Sequence, residues 1–404
     1  MPLQQTRFTA ASKSLENIDQ SLFPQLGEVI WSWKICPECL CSKTCVTNSC
    51  PSRRTAQLSR YFHFYRAVVS NYIDHSPAGN RILGTHGELW YAIQALKLHP
   101  ELTRAELCQA LLSKRQGNMT SPNDSDLLHA TTLVVKLLMM IDCSALHFSS
   151  DQLEKGCCRI HWEDDVPFTK YLQDLFPPGN HPLLSYPDND LLADIKSDLK
   201  ARKLKKHLGV TLRATDDIQN HLRLHRRQNV IEIFHHTAFI KEQLRLTKGP
   251  GDWSSPSSTI KAGALPRQLA LEVLDSLQMV LFPLSDPQSK QLLQSLVSNG
   301  LFDRDILHFE FTSIRRVGEE SVSYVYFADR LSELYNELHN PRPRGWLDRQ
   351  MERKSSARHM MMATLFGVLF AIFLGILSLI VTSYQTWIAY QAWQHPLQPL
   401  SSPK

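Results

Sequence analysis

The sequence predicts a mainly α-helical fold with minor β: a multi-helix cytosolic region followed by one C-terminal transmembrane helix. Three observations point there. Apolar residues recur at three- and four-residue spacing through much of the chain, two capping boxes mark helix starts, and residues 360–382 (MMMATLFGVLFAIFLGILSLIVT) run without a charge. As a helix that run would be about 34 Å long, enough to cross a hydrocarbon core of about 30 Å. A buried core helix of this length is rarely apolar on every face.

The chain of 404 residues has ordinary globular composition, 43% apolar and 21% charged. It is long enough for two or three domains with real cores. The formal net charge of +5 does not imply nucleic acid, because residues 342–358 alone carry six cations against Asp348 and Glu352, a net +4. The excess sits at the membrane boundary, and Lys and Arg beside a membrane helix stay on the cytoplasmic side. Beyond the helix the only basic side chains are His395 and Lys404. The N-terminal region is therefore expected to face the cytosol, with no signal peptide in the first 30 residues and tail-anchored insertion. The endoplasmic reticulum or another membrane of the secretory pathway is the favoured home. Two glycosylation sequons, at Asn118 and Asn123, are expected to stay bare.

Along the chain, residues 1–54 read as a polar lead-in, irregular or partly helical, with a short alternating run at 29–35 and a cysteine-rich segment. Residues 55–176 read as a helical domain. Leu58, Tyr61, Phe62, Tyr65, Val68, Val69 and Tyr72 share one helix face, and the boxes Thr85/Glu88 and Thr103/Glu106 open two short helices before an apolar helix at 127–141. With strands at 145–148 and 158–162 these would outline a winged helix. Asp124 and Asp126 at the third helix would repel phosphate, so nucleic acid is not the expected partner.

Residues 177–247 open with a Pro-rich linker and continue with a helix from Asp188 or Asp190 to His207. Its basic second half (Lys196, Lys200, Arg202, Lys203, Lys205, Lys206) reads as a solvated face or, more sharply, as a contact for anionic lipid. A second helix is expected over 228–246. A flexible linker at 248–262 precedes a region, 263–340, of helices opened by Pro266 and Pro287, a hairpin pairing 307–311 with 322–326, and a last helix through Tyr324, Leu331 and Leu338. A basic juxtamembrane segment (341–359) and a short extracytosolic tail (383–404) flank the membrane helix.

No catalytic residue is assigned. Cys36, Cys39, Cys41, Cys45 and Cys50 include one knuckle of two-residue gap, and four of them would suffice for a structural Zn²⁺; the alternatives are reduced or palmitoylated surface cysteines. The nine cysteines do not form the framework of a secreted chain. The run 161–165 (HWEDD) collects ligand-type side chains that point in different directions. Glu232 with His235 and His236 would resemble the donors of a metal-assisted hydrolase if helical, but without a second histidine at four-residue spacing they read as surface pairing.

In the membrane helix Ala363, Gly367, Ala371 and Gly375 recur every four residues, a smooth stripe along which a second copy or another membrane helix can pack. Arg349, Arg353, Lys354 and Arg358 on one side and Tyr384, Trp387, Tyr390 and Trp393 on the other are the expected interface anchors.

The C-terminal run from NPRPRGWLDRQ through QTWIAYQAWQHP, with NVIEIFHHTAFIKEQLRLTKG and GALPRQLALEVLDSLQMVLFPLSDPQSKQLLQSLVS, resembles a group of filamentous-fungal single-pass membrane proteins over roughly residues 85–396. The resemblance implies a fungal origin and a membrane anchor and supplies no catalytic residues. The juxtamembrane helix is similar in position to that of fungal CorA-like channels, but one spanning segment and no Gly-Met-Asn loop give no basis for ion transport. The expected function is a membrane-anchored interaction or regulatory module that binds the bilayer and an unidentified cytosolic protein. The alternative is a membrane-tethered enzyme, with the His235 region as the first place to look.

Overall fold

Helices account for most of the structure, a computed structural model that describes residues 13–36, 50–76, 81–114, 123–144, 161–179, 190–253, 255–341 and 358–394. The first half holds α1 (Leu22–Trp31), α2 (Ser59–His75), α3 (His86–Leu98), α4 (Arg104–Lys114), α5 (Asp124–Met139) and α6 (Phe168–Leu175). Next come α7 (Asp190–Asp198), α8 (Ala201–Leu208), and the strands β1 (Thr211–Thr215), β2 (Arg223–His225) and β3 (Val230–Phe234). The remainder is α9 (Thr237–Leu246), α10 (Pro256–Ala262), α11 (Arg267–Asp275), α12 (Pro287–Ser298), α13 (Ala328–His339) and α14 (Arg358–Gln394). The mainly α class with minor β holds.

Both capping boxes form. At α3 the Glu88 N–H donates to Thr85 Oγ1 (3.3 Å) and the Thr85 N–H to Glu88 Oε2 (3.0 Å). At α4 the corresponding bonds between Thr103 and Glu106 are 3.3 and 2.9 Å. Pro287 sits inside the start of α12, where a missing N–H costs nothing, and Asp286 caps it through the Ser289 N–H at 3.3 Å.

Elsewhere local pattern was overridden. In the lead-in α1 buries Leu22, Leu26 and Ile30 fully and takes in the first three residues of the alternating run expected at 29–35. The helix expected to reach His207 breaks at Lys200, whose extended backbone separates α7 from α8. The helix expected over 228–246 is β3 followed by α9. Val230, Ile233 and Phe234 fit a helical face, but β1 in parallel and β2 in antiparallel register take up the β3 backbone.

The hairpin of 307–311 with 322–326 does not form. Lys241 Nζ donates to the His308 carbonyl (2.6 Å), Lys248 Nζ to that of Thr312 (2.6 Å), and Arg267 to that of Ile314 (2.8 Å). Opposite them, the N–H groups of Val325, Tyr326 and Phe327 donate to the buried Glu272 carboxylate at 2.7, 2.9 and 2.9 Å. At His308, Val325 and Tyr326 side chains thus supply partners that a strand neighbour would have supplied, and the contacts to Thr312, Ile314 and Phe327 hold the flanking chain. Residues 145–160, which hold the strand expected at 145–148 and most of the one expected at 158–162, lie outside the described residues, and His161 and Trp162 are irregular.

The stretch read as a linker, 248–262, holds α10, which packs on α3 and α6. Gly263 ends it with φ +79, and a Cβ there would lie 2.2 Å from the Ile30 carbonyl oxygen. One continuous hydrophobic core runs from Leu15 to Leu334 and includes fully buried Trp31, Trp90, Tyr61, Tyr65 and Phe239. Met1–His339 forms one compact unit and Asn340–Lys404 a second.

Candidate functional site

In the second unit, α14 is 37 residues long. Its stretch Thr364–Gln394, 31 residues without a charged side chain, is long and apolar enough to cross a membrane, and none of it is buried. The hydroxyls of Thr382 and Thr386 donate to the carbonyls one turn back, both at 2.8 Å, so neither needs water. Gly367 and Gly375 are open: a Cβ on either would meet nothing within 4 Å. Ala363 and Ala371 fall on the same helix at the same spacing. Tyr384, Trp387, Tyr390 and Trp393 are all exposed on the far end, and Arg358 opens the helix. Arg349, Arg353 and Lys354 lie outside the described residues.

In the first unit, strand register builds a cluster that sequence reading missed. Thr215, the last residue of β1, pairs in parallel with Phe234, the last of β3. Asp216 and His235 therefore leave neighbouring strand ends together, and His236 follows as the N-cap of α9. Asp216 Oδ1 lies 3.3 Å from His235 Nε2 and 2.6 Å from His236 Nε2. Both imidazoles are 1% exposed, whereas the Asp216 side chain is 56% exposed. The available signal was the alternating run VTLRAT and the β-branched run VIEIF, each followed by a ligand-type side chain.

Burial works against charge on Asp216, but hydrogen bonds from His235 and His236 outweigh it and hold its carboxyl well below the ordinary value. Burial pushes His235 down despite Asp216, and burial with the neighbouring His235 lowers His236 to about 4. At neutral pH the cluster is thus a carboxylate held by two neutral rings. The Asp303 N–H donates to His235 Nδ1 at 3.1 Å, which places the His235 proton on Nε2, toward Asp216.

That tautomer decides what the cluster can do. The three donor atoms lie within 4.8 Å of one another, as metal ligands do. Ligation through Nε2, however, needs its proton moved to Nδ1 with an acceptor beyond, and His235 Nδ1 faces a donor instead. Ligands around zinc at about 2.0–2.1 Å stand about 3.3 Å apart in a tetrahedron, and the 2.6 Å contact of His236 is a hydrogen-bond length. The geometry is that of a polar clamp joining β1, β3 and α9. His236 Nδ1 is buried without a hydrogen-bond partner among the described residues, and the His236 ring packs against those of Phe64 and Phe234, each at 5.6 Å between centroids.

The other candidates disperse. Glu232 turns to the opposite face of β3 and pairs with Arg213 (2.6 Å) and His225 (3.2 Å). From the 161–165 run, His161 bonds the Cys143 carbonyl (3.0 Å), Trp162 is buried in the core, and Asp164 pairs with Arg104 (2.6 Å). Cys36 is half-buried and Cys50 buried, while Cys39, Cys41 and Cys45 lie outside the described residues. A cleft between α2 and α5 gathers His75, His129 and Lys136, whose ammonium is held by Asp142 at 3.0 Å. No protein-family model, curated protein or solved structure matches the chain.

Proposed function

We propose that this chain is a single-pass membrane protein in which α14 crosses the bilayer and the Met1–His339 body works on the cytosolic side as an interaction or regulatory module. The observation that carries this reading is that no residue of Thr364–Gln394 is buried. An apolar helix of that length, unburied by its own protein, is far larger than the apolar patches soluble surfaces tolerate. Lipid satisfies it, since a helix bonds its own backbone internally. The excess of cations on the N-terminal side of the helix supports the cytosolic orientation. The open glycine stripe supports association of the anchor with a second copy or another membrane helix.

Alkaline carbonate extraction of membranes from cells expressing the full chain tests the anchor. The full chain is expected in the pellet and a chain truncated after residue 357 in the supernatant. Recovery of the full chain in the supernatant overturns the reading.

A further inference from the structure

The outer face of α8 carries Arg202, Lys205 and Lys206 beside an exposed His207, and no acidic side chain. Ala201, Leu204 and Leu208 point into the core, which leaves Arg202, Lys205 and Lys206 exposed on the opposite side. The helix ends at Gly209, and there the Asn229 amide donates to the carbonyls of Leu208 (3.0 Å) and Gly209 (2.7 Å). This bond ties the β2–β3 turn to the helix end and brings exposed Arg226 and Arg227 beside it. Across 200–209 and 226–229 there are seven Lys and Arg and no Asp or Glu. Asp198 takes up Lys203 at 2.7 Å, and Glu333 takes up Arg226 at 2.5 Å. For Arg202, Lys205 and Lys206 no carboxylate lies within ion-pair distance among the described residues.

The same face lies where the chain leaves the body. His339, the last residue of α13, has Nε2 3.4 Å from Asp198 Oδ2, and the other oxygen of that carboxylate holds Lys203 on α8. From His339 only residues 340–357 intervene before α14, at most about 60 Å of extended chain. A surface tethered that closely to a bilayer meets it at high effective concentration.

We infer that the α8 face, with the β2–β3 turn, docks on the anionic headgroups of the membrane that holds α14. This rests on the proposed anchoring. Charge complementarity and the exit of the chain beside α8 select a lipid surface over a soluble polyanion, because cationic side chains close to acidic lipid gain from its surface potential.

The test uses the full chain in nanodiscs, either of phosphatidylcholine alone or with about 30% phosphatidylserine, enough to give a negative surface potential. Acetylation of Lys205 and Lys206 is followed by mass spectrometry, with Lys170, 62% exposed on α6, as internal reference. Acidic lipid is expected to lower labelling of Lys205 and Lys206 about three-fold without affecting Lys170. The protection should vanish at about 1 M salt, where the Debye length is about 3 Å. Equal labelling in the two discs overturns the docking while leaving the anchor intact. Protection by added RNA but not by acidic lipid overturns it likewise and assigns the face to a soluble polyanion. A chain that enters neither disc overturns the anchoring and the docking together.

Discussion

Among the described residues four histidines, His86, His221, His235 and His236, sit at or below 1% exposure, and burial is the largest cause lowering each of them, His86, His221 and His236 to about 4, 3 and 4. Unfolded, each would titrate near about 6.5. Between the folded and unfolded values only the unfolded chain binds the proton, so their contribution is complete above about pH 6.5 and declines as the pH falls toward 4. The slope is at most about 1.4 kcal/mol per pH unit for each ring. Asp216, depressed in the folded state, adds a further loss once the pH drops below its unfolded value. Replacing His236 with Gln, whose amide can still donate to Asp216, should flatten the dependence of urea-unfolding stability between pH 7 and 5 by about one proton. An unchanged slope would mean that His236 is not buried neutral. Glu272 offers a second residue-scale test: Glu272→Ala strands the N–H groups of Val325, Tyr326 and Phe327 at the start of α13, with an expected loss of about 3 kcal/mol or more in chemical denaturation.

Individual elements differ in how far their sequence determined them. Helices with local start signals, α3, α4 and α12, were legible because Thr85, Thr103 and Pro287 act within one turn of the backbone they cap. β3 was not, since VIEIF is equally apolar on a helical face, and its choice depends on β1 being available nineteen positions earlier. The missing hairpin has the same cause, because Lys241, Lys248, Arg267 and Glu272 reach its backbone from distant elements. Gly263 is where element packing is tightest. Gly263→Ala should cost about 2 kcal/mol or more through both its positive φ and the Ile30 carbonyl, while Gly300→Ala, with φ +69 and open space, should lose only about 1 kcal/mol. Equal losses would show that the α10–α1 contact is not tight. In α14 the double change Gly367→Ile and Gly375→Ile should reduce association in a membrane reporter assay several-fold, and unimpaired association would rule out the small-residue stripe as the interface.

At the scale of the whole molecule, the mainly helical class and the apolar C-terminal helix followed from composition and periodicity alone, whereas the Asp216 cluster required the parallel register of β1 and β3. Charge asymmetry around α14 sets the orientation proposed for the chain. That orientation places Asn118 and Asn123 in the cytosol and the residues after Gln394 across the membrane. The most direct test is glycosylation of the full chain made with microsomes, carrying an added Asn-Gly-Thr acceptor at its C-terminal end. The account predicts modification of the added acceptor alone, seen as a single enzyme-sensitive gel shift. Glycans at Asn118 or Asn123 with the added acceptor bare would contradict it.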